Sequence, residues 1–513
     1  MRISARFLAY FLISRVNARM LLSIPELALV LLVGPRGTGK STFVARHFLP
    51  GQVVSLPSIR AMICDSPERL ESTGDAIDMQ AMLVEMRLAW SRLTVIDGTN
   101  LRLRTRQNFL SLARKHHVPV VAIVFDLPNE ARANGLTKSP PLLSEYDGFT
   151  TATSQMLEPL EEQIASLQEA LPRLGQEGFH RVYFVSNSHE LNNAQVHFQR
   201  LPCNRSELDG PFDLIGDVHG CCDELEELLN KMGYRAGGTS VNVPGVLQHY
   251  YHPEGRKAVF LGDIVDRGPR ILDAVKLVQG MVESGAALAV QGNHESKVLR
   301  HFRASRPEPR PSILQTLREI EALSPESQKQ VIRGMVDFFD ALPHHLVLAS
   351  GNLVAAHAGL REDLQGRDSP LVRNQALFGD ANARFDDDPE PGRLEWVQHY
   401  RGRALVVYGH TPVAEAIVAN RTINIDTGCV FGGTLTALRF PEMEVVAVQA
   451  RKSYASQKRS GSEQLHNVND HPHAAPAKQH FNPVDILSKS IAPAEVFPIS
   501  IPGLGLDNDP KIE

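Results

Sequence analysis

The chain has 513 residues, of which 43% are hydrophobic and 22% charged, with a formal net charge of −5 and a pI near 6.5. That length suits about three domains and that composition an ordinary globular protein; the slight acidity excludes wholesale electrostatic capture of nucleic acid, though not a local basic groove. The five cysteines, Cys64, Cys203, Cys221, Cys222 and Cys429, form no Cys-x-x-Cys pair or framework spacing, which excludes a zinc ribbon or a disulfide scaffold and points to a reducing, cytoplasmic setting.

No segment reaches the roughly 18 apolar residues needed to span a bilayer, so no membrane is expected. Residues 7–13 are apolar and lie among Arg2, Arg6, Arg15 and Arg19, like the core of a signal peptide, but no small-residue cleavage site follows. Residues 1–19 are read as an extension, with Met20 as an alternative start.

The run 27–33 is continuously apolar and of strand length, as in a strand buried on both faces. It leads into Gly34-Pro-Arg-Gly37-Thr38-Gly39-Lys40-Ser41, the phosphate-binding loop pattern. Its glycines let backbone N–H groups close around phosphates, Lys40 would neutralise them, and Ser41 would hold Mg²⁺. A helix from Thr42 would turn its positive end to the anion, so ATP with Mg²⁺ is the expected ligand. Strands at 52–55, 93–97, 118–126 and 181–185 alternate with helical stretches at 77–90, 102–116 and 153–174, which implies a doubly wound parallel sheet. Asp97 ends its strand beside the loop and is a candidate Mg²⁺-side carboxylate. The first domain is placed at 20–190, a polar linker at 191–211, a second domain at 212–450, and a disordered, polar tail at 451–513.

In the second domain, apolar strands repeatedly end in metal-ligand residues: Gly216-Asp217-Val-His219-Gly220, Gly262-Asp263-Ile-Val-Asp266-Arg267-Gly268, Gly292-Asn293-His294-Glu295, then His357, Gly409-His410 and Asp426. Helices are expected at 225–232, 271–284 and 313–342, and an acidic loop at 368–395. Asp217, His219, Asp263, Asn293, His357, His410 and Asp426 together supply carboxylate, imidazole and carboxamide donors. Neutral imidazole with hard oxygen suits Mn²⁺ foremost, or Ni²⁺, Fe²⁺ or Zn²⁺, over Ca²⁺ and Mg²⁺. Two ions about 3.5–4 Å apart can clamp a phosphate, and one carboxylate must then bridge them. Arg267 is a natural fork for phosphate oxygens. His294 could protonate a leaving alkoxide, oriented by Asp266.

These motifs, with the later His-Ala-Gly and Gly-His-Thr-Pro, resemble the binuclear metallophosphoesterase superfamily. The upstream phosphate loop, the run 408–412 and the run 424–433 narrow the resemblance to bacterial polynucleotide kinase-phosphatase of RNA repair, over roughly residues 20–450. The resemblance implies a calcineurin-like αββα sandwich after the P-loop sheet. It implies that Asp217, His219, Asp263 and Asp426 serve one metal, and Asp263, Asn293, His357 and His410 the other. The implied activity is removal of 2′- or 3′-phosphates from RNA ends. A dinucleoside tetraphosphatase, a serine/threonine phosphoprotein phosphatase and a nucleotide-gated sensor or scaffold are the alternatives, and a homodimer is left open.

The sequence departs from that family in two places. Where the kinase base should stand, the run is Ser55-Leu-Pro57-Ser-Ile-Arg60; Arg60 fits as a nucleotide-side residue, but Pro57 cannot accept a proton. The lid region retains only Arg132 and Lys138 as cations, so 5′-kinase chemistry is expected to be lost or weak. After residue 450 there is no nucleotidyl-lysine motif, so end-sealing would need a separate RNA ligase partner.

Overall fold

The structure is a computed structural model that describes residues 20–69, 72–127, 159–237, 250–305, 311–379 and 395–456. The extension 1–19, the cations Arg132 and Lys138, and nearly all of the expected tail lie outside the described residues.

The first half begins with β1 (Leu21–Pro25) and β2 (Leu29–Val33), followed by α1 (Lys40–His47), β3 (Val53–Ser55), α2 (Leu56–Cys64) and α3 (Thr73–Ala89). Then come β4 (Thr94–Asp97), α4 (Leu103–Lys115), β5 (Val120–Phe125), α5 (Leu160–Ala170) and β6 (Arg181–Val185). Five strands form one parallel sheet in the order β3-β4-β2-β5-β6. Every residue of β2 is buried. Val30 and Leu32 face one apolar core with Phe43 and Phe125, and Leu29 and Leu31 face the other with Val84 and Leu88. That two-sided burial is why the run is continuously apolar rather than alternating. The phosphate loop leaves the end of this central strand where neighbours depart to either side, the usual ligand position in such sheets.

The stretch 191–211, expected to be a plain linker, is structured in part. α6 (Ser188–Asn193) is followed by β7 (Gln195–Gln199), which pairs in parallel with β1. The alternation in β1 buries Leu22 and Ile24 against the first core while Leu21 stays exposed, too short a pattern to declare itself in sequence.

The second half runs β8 (Phe212–Ile215), α7 (Cys222–Lys231), β9 (Arg235–Ala236), β10 (Tyr250–Tyr251), β11 (Lys257–Phe260), α8 (Ile271–Glu283), β12 (Ala287–Ala289) and α9 (Asn293–Arg303). It continues with α10 (Leu314–Glu321), α11 (Pro325–Ala341), β13 (His345–Leu348), β14 (Leu353–Ala356), α12 (Pro370–Phe378), α13 (Glu395–His399) and β15 (Leu405–Tyr408). It closes with β16 (Ile417–Ala419), β17 (Thr422–Asn424), β18 (Thr434–Phe440) and β19 (Glu444–Gln449). One sheet has the order β12-β11-β8-β18-β19 and the other β13-β14-β15-β17-β16. Leu214, Val259 and Leu438 of the first meet Leu346, Ala355, Val407 and Ile423 of the second in a shared core. A second core, with Leu225, Val278 and Phe339, covers the outer face of the first sheet, and Trp396 of α13 packs with Val354, Val406 and Tyr408 on the outer face of the second, giving an αββα sandwich.

The single helix expected over 313–342 is two helices, because α10 ends and Ser324 caps α11 at Ser327 N–H with Pro325 in its first turn. The expected loop at 368–395 begins with α12. Ser369 caps it, Pro370 opens it, and Val372, Ala376, Leu377 and Phe378 are buried. The acidic residues of that stretch, which suggested a loop, fall mostly beyond it and outside the described residues.

The two halves touch through Arg367. Its guanidinium donates to Leu88 O (3.2 Å), Ala89 O (3.1 Å), Ser91 Oγ (3.2 Å) and His116 O. These carbonyls lie at the C-terminal ends of α3 and α4, where the helix dipole is negative, so a buried arginine suits them. Ser369 and His117 lie 3.1 Å apart, and Asn204 bridges to Val347.

Candidate metal centre and phosphate loop

The site lies along one rim of the sandwich. Strands β8, β11 and β12 of one sheet, and β14, β15 and β17 of the other, point their C-terminal ends to it. Asp217 and His219 follow β8, Asp263 follows β11, and Asn293 follows β12. His357, His410 and Asp426 follow β14, β15 and β17. All seven are buried, none more than 9% exposed. Among the described residues, donor atoms of His219, Asp263 and His294 gather within 4.8 Å of one another, as do those of Asp263, His357 and His410.

Asp263 stands at the centre. Its Oδ2 is 3.5 Å from His219 Nε2, and its Oδ1 is 3.4 Å from His357 Nε2. One carboxylate thus faces imidazoles from both sheets. The imidazoles are oriented from behind: His219 Nδ1–H donates to Val265 O (2.8 Å) and His357 Nδ1–H to Leu261 O (3.0 Å). This leaves each Nε2 lone pair turned into the site, the arrangement that metal-ligating histidines need. Asn293 Oδ1 and His410 Nδ1 lie 3.2 and 3.0 Å from His357 Nε2. Asp217 accepts from His410 N–H, and Asp426 from Gly428 N–H (3.1 Å).

The backbone is strained here. His219, Asp263, Asp266, Arg267 and His410 all take positive φ, from 44° to 72°. Such residues cost about 1–3 kcal/mol each and gather where geometry serves a function. The glycines make room for these turns. A Cβ on Gly292 would come within 2.3 Å of Asp263 N and Oδ1, and one on Gly409 within 2.2 Å of Asp217 Oδ1.

Burial raises Asp217 well above the usual carboxylate range, with Asp426 and Asp263 adding to it, and raises Asp263 and Asp426 to about 6. Burial and the nearby Arg267 push His219 well down, and burial lowers His357 to about 4. Three carboxylates and several neutral imidazoles in one buried pocket need more positive charge than Arg267 and the nearby Lys297 supply. The donor set therefore fits divalent cations.

Arg267 donates to His219 Nε2 (2.8 Å) and His294 Nε2 (3.1 Å), with its guanidinium 5.3 Å above the Phe431 ring. His294 Nδ1 pairs with Asp266 Oδ2 at 2.7 Å. The Arg267, His294 and Asp266 grouping expected from sequence is therefore assembled. Burial disfavours charge on both members of the pair, raising Asp266 to about 8 and lowering His294 well below its ordinary value.

Sequence reasoning missed Glu295. It is fully buried, and its carboxylate accepts from Gly292 N–H (2.8 Å), Asp263 N–H (2.9 Å), Ile264 N–H (2.8 Å) and Val265 N–H (3.2 Å). It ties the Asp263 turn to the Asn293 turn. Its place as the third residue of α9, where a glutamate reaches back to the helix start, was the available signal. Burial pushes it up to about 7.

In the first half, Gly34, Gly37 and Gly39 all have positive φ, as the loop requires. Lys40 opens α1, and its Nζ donates to Gly34 O (2.9 Å) and Pro35 O (2.6 Å). Ser41 and Thr42 follow in the same first turn, and the Thr38 hydroxyl donates to Pro35 O (2.9 Å). Burial lowers Lys40 to about 8 against the opposing pull of Asp97, which stands at the end of β4. Pro57 is accounted for by helix geometry. Ser55 caps α2 by accepting from Ser58 N–H (3.3 Å), and Pro57 lies in the first turn, where a missing N–H costs nothing. Arg60 donates from Nε to Pro67 O (2.7 Å), which commits part of its fork to the chain itself.

An αββα sandwich with this donor set at its strand ends, preceded by a phosphate-loop sheet, defines a metallophosphoesterase joined to a P-loop kinase-like domain. The sequence matches the AAA domain over residues 29–138 and the calcineurin-like phosphoesterase over residues 210–447. It is 42% identical over 248 residues to the bis(5′-nucleosyl)-tetraphosphatase PrpE (asymmetrical) of Oceanobacillus iheyensis, covering 48% of this chain and 95% of that protein. It is 41% identical over 243 residues to the protein of that name from Bacillus subtilis, covering 47% and 96%. A solved serine/threonine phosphatase from Saccharomyces cerevisiae is 14% identical, with a TM-score of 0.28, covering 50% of this chain and 84% of its own. The chain belongs to the calcineurin-like phosphoesterase family.

Among the described residues no helix is long and apolar enough to cross a membrane.

Proposed function

We propose that the protein is a metal-dependent phosphatase acting on phosphates carried by nucleotides, with 2′- or 3′-phosphorylated RNA ends as its substrate. We further propose that its first domain binds ATP without efficient 5′-kinase chemistry. One observation carries the phosphatase reading: Asp263 faces histidines of both sheets through its two oxygens, with Asp217, Asn293, His410 and Asp426 around it. Asp217, His219, Asp263 and Asp426 would hold one divalent ion, and Asp263, Asn293, His357 and His410 a second, Mn²⁺ foremost. When bound, such a pair neutralises the phosphate and lowers the pKa of the attacking water. Arg267 would turn from His219 and His294 to grip two phosphate oxygens. His294, held by Asp266, would pass a proton from Nε2 to the leaving oxygen. Pro57 in place of an acid, and Arg60 bonded to Pro67, support a first domain that binds rather than transfers.

The names of the relatives favour a second reading, hydrolysis of dinucleoside tetraphosphates at the same centre. A panel of 3′-phosphorylated RNA, a dinucleoside tetraphosphate and a phosphopeptide, run in Mn²⁺ with and without ATP, separates the two. Preference for RNA upholds the first reading, and preference for the dinucleotide replaces it. Asp217→Ala should abolish turnover of every substrate that the wild type accepts; retained turnover would refute the site.

A further inference from the structure

Asp266 carries no metal in the proposed reading, yet both of its carboxylate oxygens are used. Oδ2 pairs with His294 Nδ1 at 2.7 Å. Oδ1 accepts the hydroxyl proton of Thr316, and both residues are completely buried. Thr316 lies on α10, fifty residues along the chain from Asp266.

The same helix holds the loop a second time. The two Glu319 oxygens accept from Ile271 N–H and Leu272 N–H, both at 3.0 Å, at the first turn of α8. Thus α10 grips the polypeptide on either side of Arg267, at Asp266 and again at 271–272. Ile313 and Ile320 seat this segment in the core shared with α7 and α8. The loop needs such a hold. Asp266 and Arg267 are consecutive non-glycine residues at φ 72° and 70°, a conformation that persists only where the surroundings over-determine it. An aspartate carboxylate also has a broad χ2 preference, so one hydrogen bond does not fix the direction of the other oxygen.

We propose that Thr316 is a positioning residue for the His294 acid: its hydroxyl sets the Asp266 carboxylate, which sets the imidazole against the leaving oxygen. This rests on the reading of His294 given above. Without the hydroxyl, Asp266 Oδ1 has no donor among the described residues, the carboxylate turns, and the His294 ring loses its fixed direction. The consequence is selective. An alkoxide leaving group needs the proton and a nitrophenolate does not.

The test compares p-nitrophenyl phosphate with a nucleoside 3′-monophosphate, using the full chain in saturating Mn²⁺. Thr316→Val should lower kcat on the nucleotide about tenfold, the lower end for groups that orient a site residue, and on the nitrophenyl ester by much less, with KM unchanged. Thr316→Ser should restore the ratio. His294→Gln should show the same selectivity more strongly, about 100-fold or more. If Thr316→Val does not fold, Thr316→Ala read by the same ratio takes its place. Equal loss on both substrates, or no rescue by serine, overturns the proposal while a selective His294→Gln leaves the acid standing. A His294→Gln variant without selectivity overturns the acid assignment and the proposal with it.

Discussion

Replacing Glu295 by glutamine tests how the two turns that present Asp263 and Asn293 are held together. The wild-type carboxylate accepts four backbone N–H groups, two on each oxygen, from a position with no solvent contact. Glutamine keeps the shape but turns one oxygen into an NH₂ group, so two of the four N–H groups face a donor. A buried donor left unpaired costs about 1–3 kcal/mol, giving about 2–6 kcal/mol for two. Burial already pushes Glu295 up to about 7, so its charge is held at a cost that glutamine removes. The net loss should therefore fall toward the low end, about 2–3 kcal/mol. Because the disturbed turns carry proposed ligands, the sharper readout is metal affinity, which such orienting residues change about 10–100-fold. The assay is phosphatase rate against Mn²⁺ concentration at neutral pH, with thermal unfolding alongside. Glu295→Gln should shift the half-maximal Mn²⁺ upward within that range and lower the Tm. A wild-type Mn²⁺ dependence and an unchanged Tm would refute the claim that this carboxylate organises the site.

Metal should stabilise the protein in a pH-dependent way. Asp263 and Asp426 sit at about 6 in the folded chain, above their ordinary value of 3.8, so the fold keeps protons that the unfolded chain releases. Metal-free stability then falls as pH rises between those values, and a cation supplies the missing charge. Mn²⁺ should raise the Tm more at pH 7 than at pH 5, and equal shifts at both would refute the argument. At the phosphate loop, Lys40 is lowered to about 8, so ATP affinity measured by calorimetry should fall as pH passes that value. Lys40→Ala should bind more weakly and show no such fall; a flat wild-type profile would count against Lys40 as the charge that binds. Arg367→Ala removes a buried cation from the ends of α3 and α4 and should destabilise the contact between the halves by about 2 kcal/mol or more. Faster proteolysis around residues 200–210 would report it, and unchanged cleavage would show that the contact is idle.

Much of the centre was legible because each donor travels with its own turn. An apolar strand, a glycine that lets the backbone turn sharply, and a donor immediately after it are local facts, and Asp217, Asp263, Asn293 and His410 each carry them. The parallel first sheet was legible for a similar reason, since β2 and β5 are buried on both faces and read as unbroken apolar runs. The residues that hold the donors in place were harder to see. Glu295 had a faint signal as the third residue of its helix, and Thr316 had none, since nothing in 313–342 marks its single threonine as facing Asp266. Arg367 looks in sequence like any surface arginine. The short strand β1 and the cap of α12 were lost to patterns only a few residues long. The sequence by itself determined which side chains could bind phosphate and metal, because those chemistries require particular residue types at fixed local spacing. The tertiary structure decided which of them meet: Asp263 between two sheets, Asp266 between His294 and Thr316, Arg367 across the two halves. Those distances depend on how the sheets stack and how the helices cross, and no local spacing encodes them.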